Sequence, residues 1–544
     1  MALVERCCQH HDCQARDFTP NLPSRVIDIG KDDFTIRLVD GNQCQSRYLC
    51  LSYCWGGEQP LKTTSRNLAD HLARIPWTTI PKLFQDFINL ARKLCIRYVW
   101  IDSLCIVQDD RDDWAKESGR MCQIYENSFL TVSATIAENC NAGLWDSSIS
   151  LVREMEGIST QGVHYSWLAM YGIPVLHPKP EFTSDREIWP LLRRGWAFQE
   201  RTLAPRVLHF LPGEIMWECK EETFCECGGM TVSHYGSVNP KSKSFHQFLA
   251  LGDNVKQAAI WREIVQHYSG LRWTKLSDKL PALSGVAQKL MQGSPNKRYL
   301  AGLWEDSLLE DLLWVNHRTF DYAYRYSVSG PGPTWSWTAV CDTVHFATGS
   351  GYNPAYDDPS AGDECVGKYI NIIGAYCELA TTDRTGEVRR GVLNVEGRLY
   401  KGSLRRWSED YRDVEIPKDI HDCAILDCAL LELDGSPRVD FPGQGDSETR
   451  IHLDLPKVLY SKESAAPQEV VCLPLARVRI RDGWIYVHEV EYAMVLARDP
   501  EDDKGYMRVG MLTHETHSMS DPSKYWAENP NFAHGGEMAT INIH

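Results

Sequence analysis

Tyr98-Val-Trp-Ile-Asp-Ser-Leu-Cys-Ile-Val-Gln-Asp-Asp110 holds an apolar run that ends in acids, and its reading decides the fold. Tyr98–Ser103 has the composition of a fully buried strand, which delivers Asp102 and Ser103 to its carboxyl end. Upstream, the Tyr48–Tyr53 run (YLCLSY) reads as a second buried strand and stops at Trp55-Gly56-Gly57. Between them Pro81–Cys95 opens with Pro at a first-turn position and repeats Leu83, Phe87, Leu90, Ala91 and Leu94 at helical spacing. Downstream, Arg111–Tyr125 reads as a helix and Phe129–Ala134 as a strand; upstream, Arg25–Ile29 and Phe34–Val39 read as short strands. Strand–helix–strand alternation predicts an α/β domain on a parallel sheet. The chain has no Rossmann glycine fingerprint and no P-loop.

Ligand sites in open α/β sheets lie beyond the carboxyl ends of the strands. Ser52, Tyr53, Trp55 and Gly56 at one strand end, with Asp102 and Ser103 at the other, are therefore candidate ligand contacts. Gln108 and Asp109 follow in the next turn, where Asp109 and Asp110 equally suit helix capping. On a wheel drawn through Arg111–Tyr125, Glu117 falls among the apolar Trp114, Met121, Ile124 and Tyr125. A carboxylate on an inward face is costly unless it is paired, hydrogen-bonded or functional, so Glu117 is either a structural ion pair or an acid/base group. Cys105 is the best-placed thiol for a nucleophile, although no His partner can be named for it. In Arg193–Arg201, helical spacing puts an aromatic, an acid and a base on one turn. Arg194 and Glu200 then either clamp an anion or tie the α/β sheet to the helical region.

The remaining chain divides by pattern. Phe245–Leu251, Val255–Tyr268, Leu280–Gln292 and Ser307–Val315 read as helices. From about residue 365 the runs Tyr369–Leu379, Gly391–Leu399, Cys423–Leu433, Val470–Ile480, Trp484–Leu496 and Tyr506–Leu512 read as strands of an all-β region. The expected organisation is an extension with two short strands (1–47), an α/β domain (48–210), a mainly helical region (211–340) and a mainly β region (341–544). With 57 Lys and Arg against 73 Asp and Glu in 544 residues, the net charge is −16, which argues against nucleic acid and anionic membrane surfaces as partners. No apolar run reaches the length of a membrane span, and the 19 scattered cysteines suit a cytoplasmic protein with reduced thiols. Cys7, His10 and Cys13 stand at C-x2-H-x2-C spacing, and Cys219, Cys225 or Cys227 can supply a fourth group. That spacing matches no standard zinc finger, so buried thiols and a surface His are expected there and no metal is assigned.

Several blocks together resemble the fungal heterokaryon-incompatibility (HET) domain: Tyr48–Gly56, Ile80-Pro81, Tyr98–Asp110, Asp113-Trp114, Glu117-Ser118, Met121 and Ile124-Tyr125. Arg194–Phe210 is similar to the segment that closes that domain. Ser277–Gly285, Tyr299–Trp304 and Pro333–Trp337 resemble the region that accompanies it. The resemblance implies a fungal intracellular protein of non-self recognition, acting through a protein partner or self-association and triggering cell death. It also implies a fold likened to the Toll/interleukin-receptor (TIR) domain, some of which cleave NAD with a glutamate on a helix beside the sheet. Carried over, that role falls to Glu117, with Trp55 or Trp114 stacking on a ring of NAD and Asp102 and Ser103 on the ribose hydroxyls. The alternative is a stand-alone enzyme acting on a small molecule, with Asp102, Cys105 and Glu117 as acid/base groups for a condensation or cyclisation.

Overall fold

The computed structural model describes residues 2–14, 17–57, 61–145, 165–168, 173–176, 190–211, 214–225, 254–292, 296–317, 330–341, 343–347, 364–406, 429–433, 436–438, 448–454, 468–482, 486–516 and 537–544. The chain divides into two compact units, Met1–Gly252 with Leu271–Thr274 and Pro281–Ser294, and Asp253–Gly270 with Lys275–Leu280 and Pro295–His544.

The first unit is built on strands β1 (Arg25–Asp28), β2 (Arg37–Asp40), β3 (Tyr48–Ser52), β4 (Tyr98–Trp100) and β5 (Leu130–Ser133). Strands β6 (Tyr165–Leu168) and β7 (Ile173–Leu176) form a separate hairpin, and β8 (Arg206–Leu211), β9 (Glu214–Cys219) and β10 (Thr223–Cys225) complete the main sheet. The main sheet has the order β10-β9-β8-β5-β3-β4-β1-β2. Its four middle strands, β8, β5, β3 and β4, are parallel, as the strand–helix alternation predicts. The flanking pairs are antiparallel, so the sheet is mixed rather than wholly parallel. The difference has a simple cause: β1–β2 and β8–β9–β10 are joined by short turns, and a parallel crossover needs about a dozen residues.

All residues of β3 and β5 are buried, which is why their sequences are continuous apolar or hydroxyl runs with no alternation. Helices α1 (Ala2–His10), α2 (Leu68–Ala73) and α3 (Lys82–Lys93) precede β4. Helix α3 buries Leu83, Phe84, Phe87, Ile88 and Ala91, one face at the expected period. Helix α4 (Asp102–Cys105) turns the chain directly after β4. The segment expected as one helix over 111–125 is two, α5 (Arg111–Ser118) and α6 (Met121–Glu126). The break falls at Gly119, the residue with the weakest tendency to continue a helix interior apart from proline. Asp110 caps α5, accepting from the Asp112 and Asp113 amides at 3.0 and 3.1 Å.

Helix α7 (Gly195–Leu203) starts against the indole of Trp273, and a Cβ on Gly195 would sit 1.8 Å from a ring carbon. Gly195→Ala is therefore expected to destabilise the first unit by about 1–3 kcal/mol through overpacking. A chemical-unfolding midpoint equal to that of the unsubstituted chain would contradict this.

The second unit carries a largely antiparallel ten-stranded sheet, including Asn371–Leu379, Val388–Arg406, Gln468–Asp482, Tyr486–Asp499 and Asp502–Thr516, so the expected all-β region is present. Asn254–Ser269 is helical as expected, as is Pro281–Gln292 in the first unit. The expected helix over Ser307–Val315 holds only for Leu308–Asp311, because Trp314–His317 pairs with Thr343–Phe346 as a strand. Phe245–Leu251 and residues 423–428 lie outside the described residues. Trp261, Trp304, Trp314, Trp335 and Trp337 are fully buried in the second unit, which accounts for much of the tryptophan content. Among the described residues no helix is long and apolar enough to cross a membrane.

Candidate functional site

The parallel strands run in the spatial order β4-β3-β5-β8, the 2-1-3-4 order of a doubly wound sheet. In such a sheet the connections leave β3 and β5 in opposite directions, and a crevice opens at the carboxyl end of that pair. Ser52 ends β3 there, followed by Tyr53, Cys54 and Trp55. Asp102 and Ser103 arrive from β4, one strand over. Helix α7 and the residue before it bring Arg194 and Glu200 from far along the chain.

Seven of the expected residues meet through hydrogen bonds or charge. The Trp55 indole N–H donates to Asp102 Oδ2 at 2.7 Å, and the Ser103 amide donates to Oδ1 at 2.6 Å. The Ser52 hydroxyl donates to Glu200 Oε2. Arg194 donates to the Tyr53 carbonyl at 2.7 Å, and its charge acts on both Asp102 and Glu200. The Tyr53 hydroxyl is buried with no direct hydrogen bond, beside Asp102 and Ser103. Gly56 closes the turn at φ +76°, and a Cβ there would lie 2.4 Å from Asn139 Cβ, so the turn admits glycine alone without strain.

Burial dominates the electrostatics of this group. Glu200 is 7% exposed, and burial pushes its carboxyl up to about 7, with the Asp102 charge adding to the rise and Ser52, Arg194 and Tyr125 opposing it. Burial also raises Asp102 above the usual carboxylate range, against the Trp55 hydrogen bond and the Arg194 charge. Two carboxyl groups that burial raises, one of them near neutrality and lifted further by the charge of the other, are equipped to exchange a proton at neutral pH. Burial pushes the neighbouring Cys54 thiol up to about 11, against the Arg194 charge.

Other expected residues serve the frame. Gln108 donates to the Asp102 and Ile106 carbonyls at 3.1 Å each, bracing the turn. Asp109 accepts from the amide and the hydroxyl of Ser65, both at 2.7 Å, and so ties two loops rather than capping α5. The Ser103 hydroxyl donates to the Leu61 carbonyl at 2.9 Å. Trp114 is partly buried against the apolar core. Burial pushes the Cys105 thiol up to about 12, which keeps it protonated at neutral pH and unsuited to nucleophilic attack.

Glu117 is inside, as the wheel expects, at 1% exposure. Its ion-pair partner is Arg120 at 3.9 Å, and its Oε1 has no hydrogen bond. Among the described residues no hydrogen bond or ion pair joins Glu117 to the Asp102–Glu200 group.

Tyr125 enters the group without a sequence signal beyond its place on the apolar face. Its hydroxyl donates to the Leu51 carbonyl at 3.2 Å, and it also acts on Glu200. Helix α7 is held by a second network. Arg201 donates twice to Glu218, at 2.8 Å to each oxygen, and His209 Nε2 lies 3.0 Å from the same carboxylate. Arg201 of the Arg193–Arg201 segment thus ties α7 to strand β9 of the main sheet. The described side chains placed to hold a metal are Cys7, His11, Cys13 and Cys219, whose ligand atoms lie within 4.8 Å of one another. His10, the histidine suggested by spacing, is exposed.

Residues 48–200 match the family described as heterokaryon incompatibility protein (HET). No curated protein and no solved structure matches the chain.

Proposed function

We propose that the domain at residues 48–200, which matches the heterokaryon-incompatibility (HET) family, cleaves an N-glycosidic bond, with NAD as the substrate, at Asp102 and Glu200. The observation that carries this reading is the pair of carboxyl groups at the carboxyl ends of β3 and β4, Asp102 half-buried and Glu200 buried and poised near 7 beside Arg194. Asp102 as carboxylate stabilises the oxocarbenium-like ribose, the role carboxylates play in glycoside chemistry. The C1′–N bond breaks and its electron pair passes to the nicotinamide ring nitrogen, which loses its positive charge. A water oxygen bonds to C1′ while its proton moves to Glu200. Trp55, partly exposed and anchored through its N–H, offers its face to an aromatic ring. In a fungal cell, loss of NAD would be the cell-death signal of an incompatibility reaction, released by a protein partner that engages the region after residue 210.

The test is nicotinamide release from NAD by the purified full-length chain, with Asp102→Asn alongside and folding checked by circular dichroism. Asp102→Asn is expected to lower the rate by about 10²-fold or more. Full-rate release by a folded Asp102→Asn chain would sink the assignment. Release of nothing by the unsubstituted chain, with turnover of another small molecule that Asp102→Asn abolishes, would favour the condensation or cyclisation reading. The rate should also rise with pH through about 7, because Glu200 accepts a proton only when ionised and burial places that ionisation there. A rate falling across that interval would assign Glu200 the opposite role, that of an acid.

A further inference from the structure

We propose that Cys7, His11, Cys13 and Cys219 hold a zinc ion that clips the N-terminal segment to the main sheet. Cys7 lies in the last turn of α1, and the chain leaves that helix so that His11 and Cys13 turn back toward it. Cys219 ends β9, more than two hundred residues later. Three sulfurs and one imidazole nitrogen then converge within 4.8 Å, in a set that zinc takes in closed tetrahedral sites. The Cys219 Sγ to His11 Nδ1 distance is 3.4 Å. With Zn–S of about 2.3 Å and Zn–N of about 2.0 Å, a tetrahedral site has an S···N edge of about 3.5 Å, so the ligands stand nearly where the ion requires them.

The surroundings favour thiolates and a metal rather than three buried thiols. Arg206, fully buried, donates from Nε to Cys7 Sγ at 3.3 Å and from Nη2 to Cys8 Sγ at 3.2 Å. Three thiolates and a divalent ion leave one negative charge, and this guanidinium offsets it. The amides of Glu221 and Glu222 hydrogen-bond the Cys219 sulfur from the turn that follows β9. On the far side of the imidazole, Glu222 lies 3.7 Å from His11 Nε2, where a carboxylate orients a metal-bound histidine and fixes its tautomer. A disulfide between any two of the cysteines would leave the third sulfur, the histidine and these partners unexplained. The four protein ligands leave no open position, so the site is structural and separate from the chemistry at Asp102 and Glu200.

Zinc content of the full-length chain, purified without chelator, is expected at about one ion per chain by elemental analysis. Cys13→Ser and Cys219→Ser should each lower it by about tenfold or more, while His10→Ala, at the exposed neighbour, should leave it unchanged. Cobalt exchanged into the unsubstituted chain should give intense tetrahedral ligand-field bands with sulfur-to-cobalt charge transfer, a readout that needs no variant to fold. Absence of zinc and of the cobalt bands, or a disulfide among Cys7, Cys13 and Cys219 in peptides mapped without reduction, would overturn the site. Loss of zinc on His10→Ala with none on His11→Ala would overturn the ligand set.

Discussion

Replacing Glu200 by Gln is expected to lower nicotinamide release by about 10²–10⁴-fold, the range supplied by a positioned acid–base group, while Glu117→Gln leaves the rate nearly unchanged. Both residues are buried glutamates, so burial alone does not separate them. Their partners do. Glu200 accepts from Ser52 at the end of a central strand and shares the field of Asp102 and Arg194, whereas Glu117 has its ion pair with Arg120 at 3.9 Å. A glutamine at 200 keeps an oxygen to accept from Ser52 but cannot take a proton from water, so the fold should survive while the chemistry stops. It should also abolish the rise in rate through about 7 that Glu200 is expected to impose. At 117 the same change replaces a buried carboxyl whose Oε1 has no hydrogen bond, so stability should be equal or higher. The reverse pattern, with Glu117→Gln inactive and Glu200→Gln active, would transfer the catalytic role to Glu117.

Glu218→Ala carries the largest expected cost to stability, about 3–5 kcal/mol, because it removes the buried carboxylate that the part-buried Arg201 and the buried His209 share. Glu218 is fully buried and receives both Arg201 hydrogen bonds and the His209 contact, and the Arg201 charge holds its carboxyl well below the usual range despite burial. The sign of the pH dependence follows. A carboxylate whose folded pKa is depressed contributes its full stability above the unfolded value of about 4.3, and loses it as pH falls through the lower folded value. Acid unfolding should therefore be steeper in the unsubstituted chain than in Glu218→Ala, and the two should converge at low pH. Because Arg201 lies on α7 one residue from Glu200, the substitution should also loosen the site and reduce turnover. An unchanged chemical-unfolding midpoint at neutral pH would show that the network contributes nothing measurable.

Much of the frame was legible locally. Continuous apolar runs at Tyr48–Ser52, wholly buried, and Tyr98–Trp100, buried from Val99, with an amphipathic helix between them, specify parallel strands because few other arrangements bury both faces. Where a strand stops, its next polar residues stand at the sheet's carboxyl edge, so Ser52, Trp55 and Asp102 could be named as neighbours without coordinates. The antiparallel flanks were less legible, since the strand runs do not record the direction in which a short-turned edge strand pairs.

The roles of the charged residues were decided only in three dimensions. The wheel through 111–125 treats the segment as one helix, whereas it is interrupted at Gly119 and Arg120, although Glu117 remains inside. Arg194 and Glu200 looked like one cluster with Arg201, yet helix geometry sends Glu200 to β3 and Arg201 to β9. The same holds at the cysteines, where spacing along the chain favoured His10 and the folded chain presents His11 beside Cys219. Periodicity and burial are local properties that neighbouring residues encode. A carboxylate's proton affinity and a metal's ligand set are sums over groups brought together from distant parts of the chain, and only the tertiary structure assembles those sums.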